Sequence, residues 1–323
     1  MSLALRSGVT TNITRVTAES RNAIRKSRCA WTRRAGPTGR GGSDVSESPA
    51  ILRRVLAKHL QTLRERAGRS FAQAAGQLGV HHTTIRRMEQ GFGRPPRPPD
   101  LRELLSFYAV GAGEVSALVE LAEKASGRNW WDEYSLSEAM ADCVMLEGAA
   151  KRIRAYAPWE VPALLQTEDY ARALDPGPDP DRWLDLLKRR QAVLDDDAGP
   201  LLWAVIDEPV LHWQVGSPDI MADQLTHLLE MAARPCVSLR VVPFDAGPSP
   251  AARVGTCSVY RLRHRELPDI VCVQQFDGLD FVDKPSAVTH YTAVLDQTVG
   301  KATRRGEQTR LLLERIQDHW RAA

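Results

Sequence analysis

Leu52, Leu56, Leu60, Leu63 and Ala67 recur at steps of four, four, three and four, so they share one side of a helix that begins after Pro49. Arg53, Arg54, Lys58, Gln61, Arg64 and Glu65 fall elsewhere on that wheel, and Gly68 supplies its C-cap. The next run opens with Ser70 and Gln73, the S/TxxE/Q spacing in which each side chain satisfies an N–H group that a helix start leaves free. Ala74, Ala75 and Leu78 give it an apolar side, Gly79 suits a left-handed turn, and Val80 is expected to pack back. A third helix is predicted over residues 82–90. With Ile85 and Met88 inward, a rotation of about 100° per residue puts Thr83, Arg86, Arg87 and Gln90 outward, with His82 and Thr84 flanking them. The string GFGRPPRPP interrupts the helical pattern. Two further helices are expected over 100–108 and 114–125.

The rest of the chain reads differently. Helices are expected over 137–155, 167–174 and 181–194, a buried strand over 201–206, and a helix capped by Ser217 and running to 233. Residues 237–243 form a second strand by their valine and leucine content, and 256–262 and 269–276 form two more, joined by the polar stretch RHRELP. Helices over 284–299 and 305–320 close the chain. The fold class is therefore α+β: an all-α five-helix domain over 49–126, followed by a mixed α+β domain over 127–323. A length of 323 residues accommodates both.

Charge divides the chain along the same line. Residues 1–50 hold 9 Lys and Arg against 3 Asp and Glu, and residues 51–109 hold 11 against 4, whereas the remainder holds 23 against 33. A basic front and an acidic back is the balance expected when one part of a protein touches a polyanion. Residues 1–48 lack a regular apolar period and are expected to be a disordered basic extension. That extension has three readings: a DNA-binding arm, an imitation of an organellar transit peptide, or an inert tail or sequence upstream of a start at Val45, where a GTG codon would be written as valine.

The segment LGVHHTTIRRMEQG, residues 78–91, resembles the LGVSxSTISRIExG signature of the Xre type of helix-turn-helix regulators, which are related to phage repressors. The resemblance implies a lambda-repressor-like DNA-binding domain, with Glu89 paired to an arginine of the first helix, here Arg64. His81 and His82 depart from the usual serine and polar residue. NWWDEY (129–134), LEGAAKRIRAYAPWEVPALLQTEDYARAL (146–174), RRQAVL (189–194) and RPCVSLRVVPFDAG (234–247) resemble the C-terminal domain of a large actinobacterial group of antitoxin-like regulators. Ala163 stands where that group has the glycine of VPGLLQT. Members are often encoded beside a short partner protein.

Taken together, these features predict a sequence-specific transcription regulator with double-stranded DNA as its partner. Residues 82–90 would enter the major groove, with His82, Thr83, Arg86 and Arg87 toward bases and Gln90 on the same DNA-binding face. Ser70, Gln73 and Thr84 would lie near phosphate, while Arg53, Arg54, Arg94 and Arg97 add charge along the backbone. Two half-sites about one helical turn apart call for a homodimer. The alternative is an antitoxin or scaffold whose main role is to hold a small partner protein.

Trp130 and Trp131 are either a packing anchor between domains or a stacking surface. With Leu165, Gln166 and the loop carrying Asp245 they form the candidate ligand- or partner-binding set. No GxGxxG, GxxxxGKS/T, GxSxG or HExxH string occurs, so no enzyme, cofactor or metal is expected. The five widely spaced cysteines read as reduced, and with no long apolar run the expected compartment is the cytoplasm, away from membranes.

Overall fold

The computed structural model describes residues 48–91, 94–174 and 179–323. Of the basic extension expected over 1–48, residues 1–47 and the three readings lie outside them, and Ser48 belongs instead to the first helix as its N-cap. Among the described residues there are eleven α-helices and six strands.

Five helices form the head: α1 (Pro49–Arg66), α2 (Phe71–Leu78), α3 (His82–Glu89), α4 (Pro98–Phe107) and α5 (Ala112–Ala125). Both hydrogen bonds of the expected capping box are present, from Gln73 N to Ser70 Oγ at 3.2 Å and from Ser70 N to Gln73 Oε1 at 2.9 Å. Gly79 ends α2 at φ +63°, the left-handed conformation that disfavours a Cβ. Leu56, Leu60 and Leu63 of α1 meet Ala74 and Ala75 of α2, Ile85 of α3 and Leu101, Leu104 and Leu105 of α4 in one core. Two expectations are corrected. Helix α4 begins at Pro98, because the missing N–H groups of Pro98 and Pro99 would be free in a first turn anyway. Val80 stays 37 % exposed and does not pack back.

The second domain is built on a six-stranded sheet of order β3-β2-β1-β4-β5-β6. Its strands are β1 (Ala150–Ala157), β2 (Leu201–Asp207), β3 (Val237–Val242), β4 (Cys257–Leu262), β5 (Ile270–Gln275) and β6 (Gly278–Val282). The first three are mutually parallel and the last three antiparallel, so β1 joins two halves of different construction. Helices α7 (Glu168–Leu174) and α8 (Pro180–Gln191) connect β1 to β2, and α9 (Pro218–Ala233) connects β2 to β3. Helix α6 (Glu138–Ala149) leads into β1, and α10 (Pro285–Lys301) and α11 (Glu307–Ala322) follow β6. One sheet face, with Ile153, Leu202 and Leu239, packs on α9 and α11. The other, with Val205, Val242 and Val271, packs on α10.

The helix expected over 137–155 stops at Ala149. AKRIRAYA reads as helix by its alanines and arginines, yet it lies between β2 and β4 with Ile153 and Ala155 directed into the core. Strand pairing overrides local propensity there. Strand β6 is an addition to the expected set.

The head and the sheet domain share apolar packing. Ile51 and Leu52 of α1 and Ala125 of α5 belong to the same core as Trp131, Val144 and Met145. Polar contacts reinforce it: Arg54 Nη2 lies 2.7 Å from Asp142 Oδ2, and Ala50 N donates to Asn129 Oδ1 at 2.9 Å.

Candidate nucleic-acid interface and the junction behind it

Helix α3 has two unlike sides. Ile85 is fully buried and Met88 half-buried, whereas His82, Thr83, Arg86, Arg87 and Gln90 are exposed and Thr84 is half-buried at the edge. The N-cap is His81, whose Nδ1 lies 3.4 Å from Thr83 N and 2.9 Å from Thr83 Oγ1, so an imidazole does the capping work of the usual serine. The His81 and His82 rings sit 4.1 Å apart. Ser70 and Gln73 are exposed at the start of α2, their side chains engaged in the capping box.

Helix α3 is held at its far end by Arg64, whose Nε and Nη2 donate to the two carboxylate oxygens of Glu89 at 2.7 and 2.9 Å. Arg64 Nη1 also donates to Arg69 O at 2.9 Å, and the guanidinium lies 4.1 Å over the Phe71 ring. Hydrogen bonding to Glu89 raises the Arg64 pKa above the ordinary arginine value.

Four arginines were expected along a DNA backbone, and they separate into pairs. Arg94 and Arg97 are exposed, Arg97 beside Asp100 at 3.3 Å. Arg54 instead pairs with Asp142 of α6, and Arg53 is half-buried with its Nε donating to Ala125 O at 3.0 Å. These two flank Ile51 and Leu52 in sequence and are carried with them into the junction, so they do not join the exposed face of α3.

The second candidate set does not assemble on a surface. Trp131 is 3 % exposed and packs edge-on to the half-buried Trp130 with centroids 5.5 Å apart, as a domain anchor would. Leu165 is fully buried, and Gln166 donates to Val161 O at 2.7 Å from inside the core. Gln224 fixes the same segment by accepting from Thr167 N and donating to Leu165 O, both at 2.8 Å. Asp245 is exposed, but its loop is docked rather than open: Ser249 Oγ lies 2.6 Å from Tyr156 OH and Ala251 N donates to Thr298 Oγ1 at 3.0 Å.

Sequence reasoning missed an aromatic cluster just beyond the carboxyl ends of the parallel strands. Trp159 follows β1, Trp213 follows β2 and Phe244 follows β3, with exposures of 62, 45 and 60 %. The two tryptophans stack with centroids 6.0 Å apart and planes 4° from parallel. Glu208, buried beneath, accepts from Phe244 N at 2.8 Å and lies 3.5 Å from both His212 Nε2 and Arg315 Nη2. Ligands favour the carboxyl ends of parallel strands, but reading β1 as helix hid that signal. Desolvation raises the pKa of the neighbouring Asp207, against the pull of its hydrogen bond from Tyr156. Among the described residues no group of three His, Cys, Asp or Glu side chains is placed to hold a metal ion.

Residues 55–118 match a helix-turn-helix domain family, and residues 140–315, more than half of the chain, match the domain of unknown function DUF5753. The chain belongs to the DUF5753 family. Its DUF5753 domain thus contains all six strands and the Trp159–Trp213 stack. Trp130 and Trp131 lie between the two matched segments, and Ile51 to Arg54 precede the first. No curated protein and no solved structure matches the chain. No helix among the described residues is long and apolar enough to cross a membrane.

Proposed function

We propose that the protein is a sequence-specific, Xre-type transcription regulator that binds double-stranded DNA. Helix α3 enters the major groove, and the DUF5753 domain dimerises the protein and senses a partner or ligand. The observation that carries this reading is the division of α3, with Ile85 fully buried and His82, Thr83, Arg86 and Arg87 exposed together on a helix of eight residues, beside its exposed C-cap Gln90. Exposed donors of this kind read base edges and phosphates. The protein acts by binding rather than by catalysis, in the cytoplasm. Genome-wide footprinting would supply the operator and its half-site spacing. A gel-shift titration then compares wild type with Arg86→Ala/Arg87→Ala: the variant loses affinity, and its salt slope falls by roughly one per phosphate contact removed. Unchanged affinity and slope would show that α3 is not the reading helix.

A second reading, an antitoxin or scaffold for a small partner protein, draws support from the exposed Trp159–Trp213 stack, because paired aromatic rings are frequent binding hot spots. It predicts that the short product of a neighbouring gene co-purifies with the full chain and is lost from Trp159→Ala/Trp213→Ala.

A further inference from the structure

Two cavities meet behind α3, sharing Arg53 and Asp132 in their walls. The larger, about 480 Å³, is bordered by Arg53, Arg94, Pro95, Gly127, Arg128 and Asp132. The smaller, about 220 Å³, reaches past Arg54 and Asp142 to Gln90, Gly91 and Trp131. The larger has the size of a small-molecule site, which typically spans about 300–1,000 Å³.

Its charge is one-sided. Three guanidinium groups face one carboxylate, and both oxygens of that carboxylate, Asp132, already accept from Asn129 N and Nδ2 at 2.9 and 3.1 Å. Arg94 and Arg128 have no ion-pair partner among the described residues, and Arg53 makes its hydrogen bond, to Ala125 O, through Nε, leaving both terminal nitrogens for another acceptor. Arg54, one residue along, shows the contrasting case, closed by Asp142 at 2.7 Å. Burial pulls the Arg53 pKa below its ordinary value, and the attraction of Asp132 opposes that pull without cancelling it. A bound anion would restore that balance, and planar arginine forks suit phosphate and carboxylate oxygens alike.

We propose that this junction binds a compact dianion, a phosphate monoester or a dicarboxylate, through Arg53, Arg94 and Arg128, and that its occupation weakens DNA binding. The site itself is independent of the function proposed above; its effect on DNA rests on that reading. The coupling has two routes. Arg94 is one of the two that stay exposed among the four arginines expected along a DNA backbone, and engaging it with a ligand withdraws that charge. Gly91, which follows the recognition helix, borders the adjoining cavity at φ +75° with no room to spare against Arg54, so a shift of Arg53 and Arg54 reaches the end of α3. A duplex cannot enter a cavity of this size, which separates its occupant from the operator.

The test is isothermal titration calorimetry on the full chain, without DNA and with ionic strength held constant by chloride, using inorganic phosphate, adenosine monophosphate and succinate as probes. One probe at least should bind saturably, one per chain. Its Kd should rise tenfold or more in Arg53→Met and in Arg128→Met, while Arg310→Ala, far along the chain on α11, leaves it unchanged. Arg128 is exposed, so that variant keeps its fold even if Arg53→Met does not. Binding of the phosphates alone, or of succinate alone, supports the site and identifies its ligand. No saturable binding at millimolar probe, or a Kd unmoved in both variants, overturns it. Gel shifts at saturating probe should then show operator affinity three- to tenfold lower. If the probe binds and that affinity does not move, the site stands and its regulatory role is overturned; if no operator is bound at all, the function proposed above fails while the calorimetry remains decisive for the site.

Discussion

Arg64 and Glu89 face each other as two parallel hydrogen bonds, 2.7 and 2.9 Å long, with side chains only 9 and 5 % exposed, and so tie the last turn of α1 to the last turn of α3. Neither charge has water to fall back on. Removing one partner strands the other, and Arg64→Ala or Glu89→Ala should lower stability by about 3–5 kcal/mol in urea denaturation. Arg64→Lys, which lacks the fork, should fall between wild type and the alanine variant. A loss below about 1 kcal/mol in both alanine variants would show that the pair is not a lock.

Gly79 and Gly91 bracket the α3 region and should respond unequally to alanine. Both have positive φ, +63° and +75°. A Cβ at Gly79 meets nothing within 4 Å, so the cost is the left-handed conformation alone, about 1–2 kcal/mol. At Gly91 the Cβ would lie 3.3 Å from Arg54 Cα, a backbone atom that cannot swing away. Thermal denaturation should therefore rank Gly91→Ala as the more damaging change, and equal losses would count against the close approach to α1.

In the DUF5753 domain, Arg190 of α8 donates to Glu147 of α6 at 2.9 and 2.8 Å, with side chains 5 and 6 % exposed. Arg190→Met leaves a buried carboxylate beside Cys143 and should cost about 3–5 kcal/mol. Adding Glu147→Leu removes the stranded charge, so the double variant should regain most of that loss. A double-mutant cycle in denaturant measures the recovery, and additive losses would contradict the pairing.

His227 on α9 offers a pH signature. Burial lowers its pKa below the ordinary 6.5, with Glu230 opposing and Arg234 assisting. The unfolded chain therefore takes up a proton at higher pH than the folded one. Stability from this residue is present above about pH 6.5 and is lost as the pH falls through the lower folded value. His227→Gln should flatten the stability profile on the acid side of neutrality, and an unchanged slope there would remove His227 as its source.

How much of this was legible follows the range of the interactions involved. The head was readable because its determinants are local: Ser70 and Gln73 three residues apart, Gly79 at a turn, and Ile85 opposite Arg86 and Arg87 on one helix. The Arg64–Glu89 pair came from a family resemblance rather than from spacing. Strand β1 was hidden because Ala150 to Ala157 favours helix locally, and only its place between β2 and β4 makes it a strand. That error also concealed Trp159 as a strand-end residue beside Trp213. Arg53 and Arg54 were legible as cations on a wheel. Their destination was not, since it depends on Asp142 and Ala125, 88 and 72 residues away.

The core shared by Ile51, Leu52, Ala125, Trp131 and Met145 also sets what can be exchanged between relatives. A graft cut at the bounds of the helix-turn-helix match, 55–118, would carry the whole of α3 and leave behind Ile51, Leu52, Arg53 and Arg54. The transplanted head would arrive without the surface that fits its new host. The portable unit is longer than the domain, running from Ser48 through Tyr134, and a chimera that respects it should keep the stance of α3 as well as its sequence.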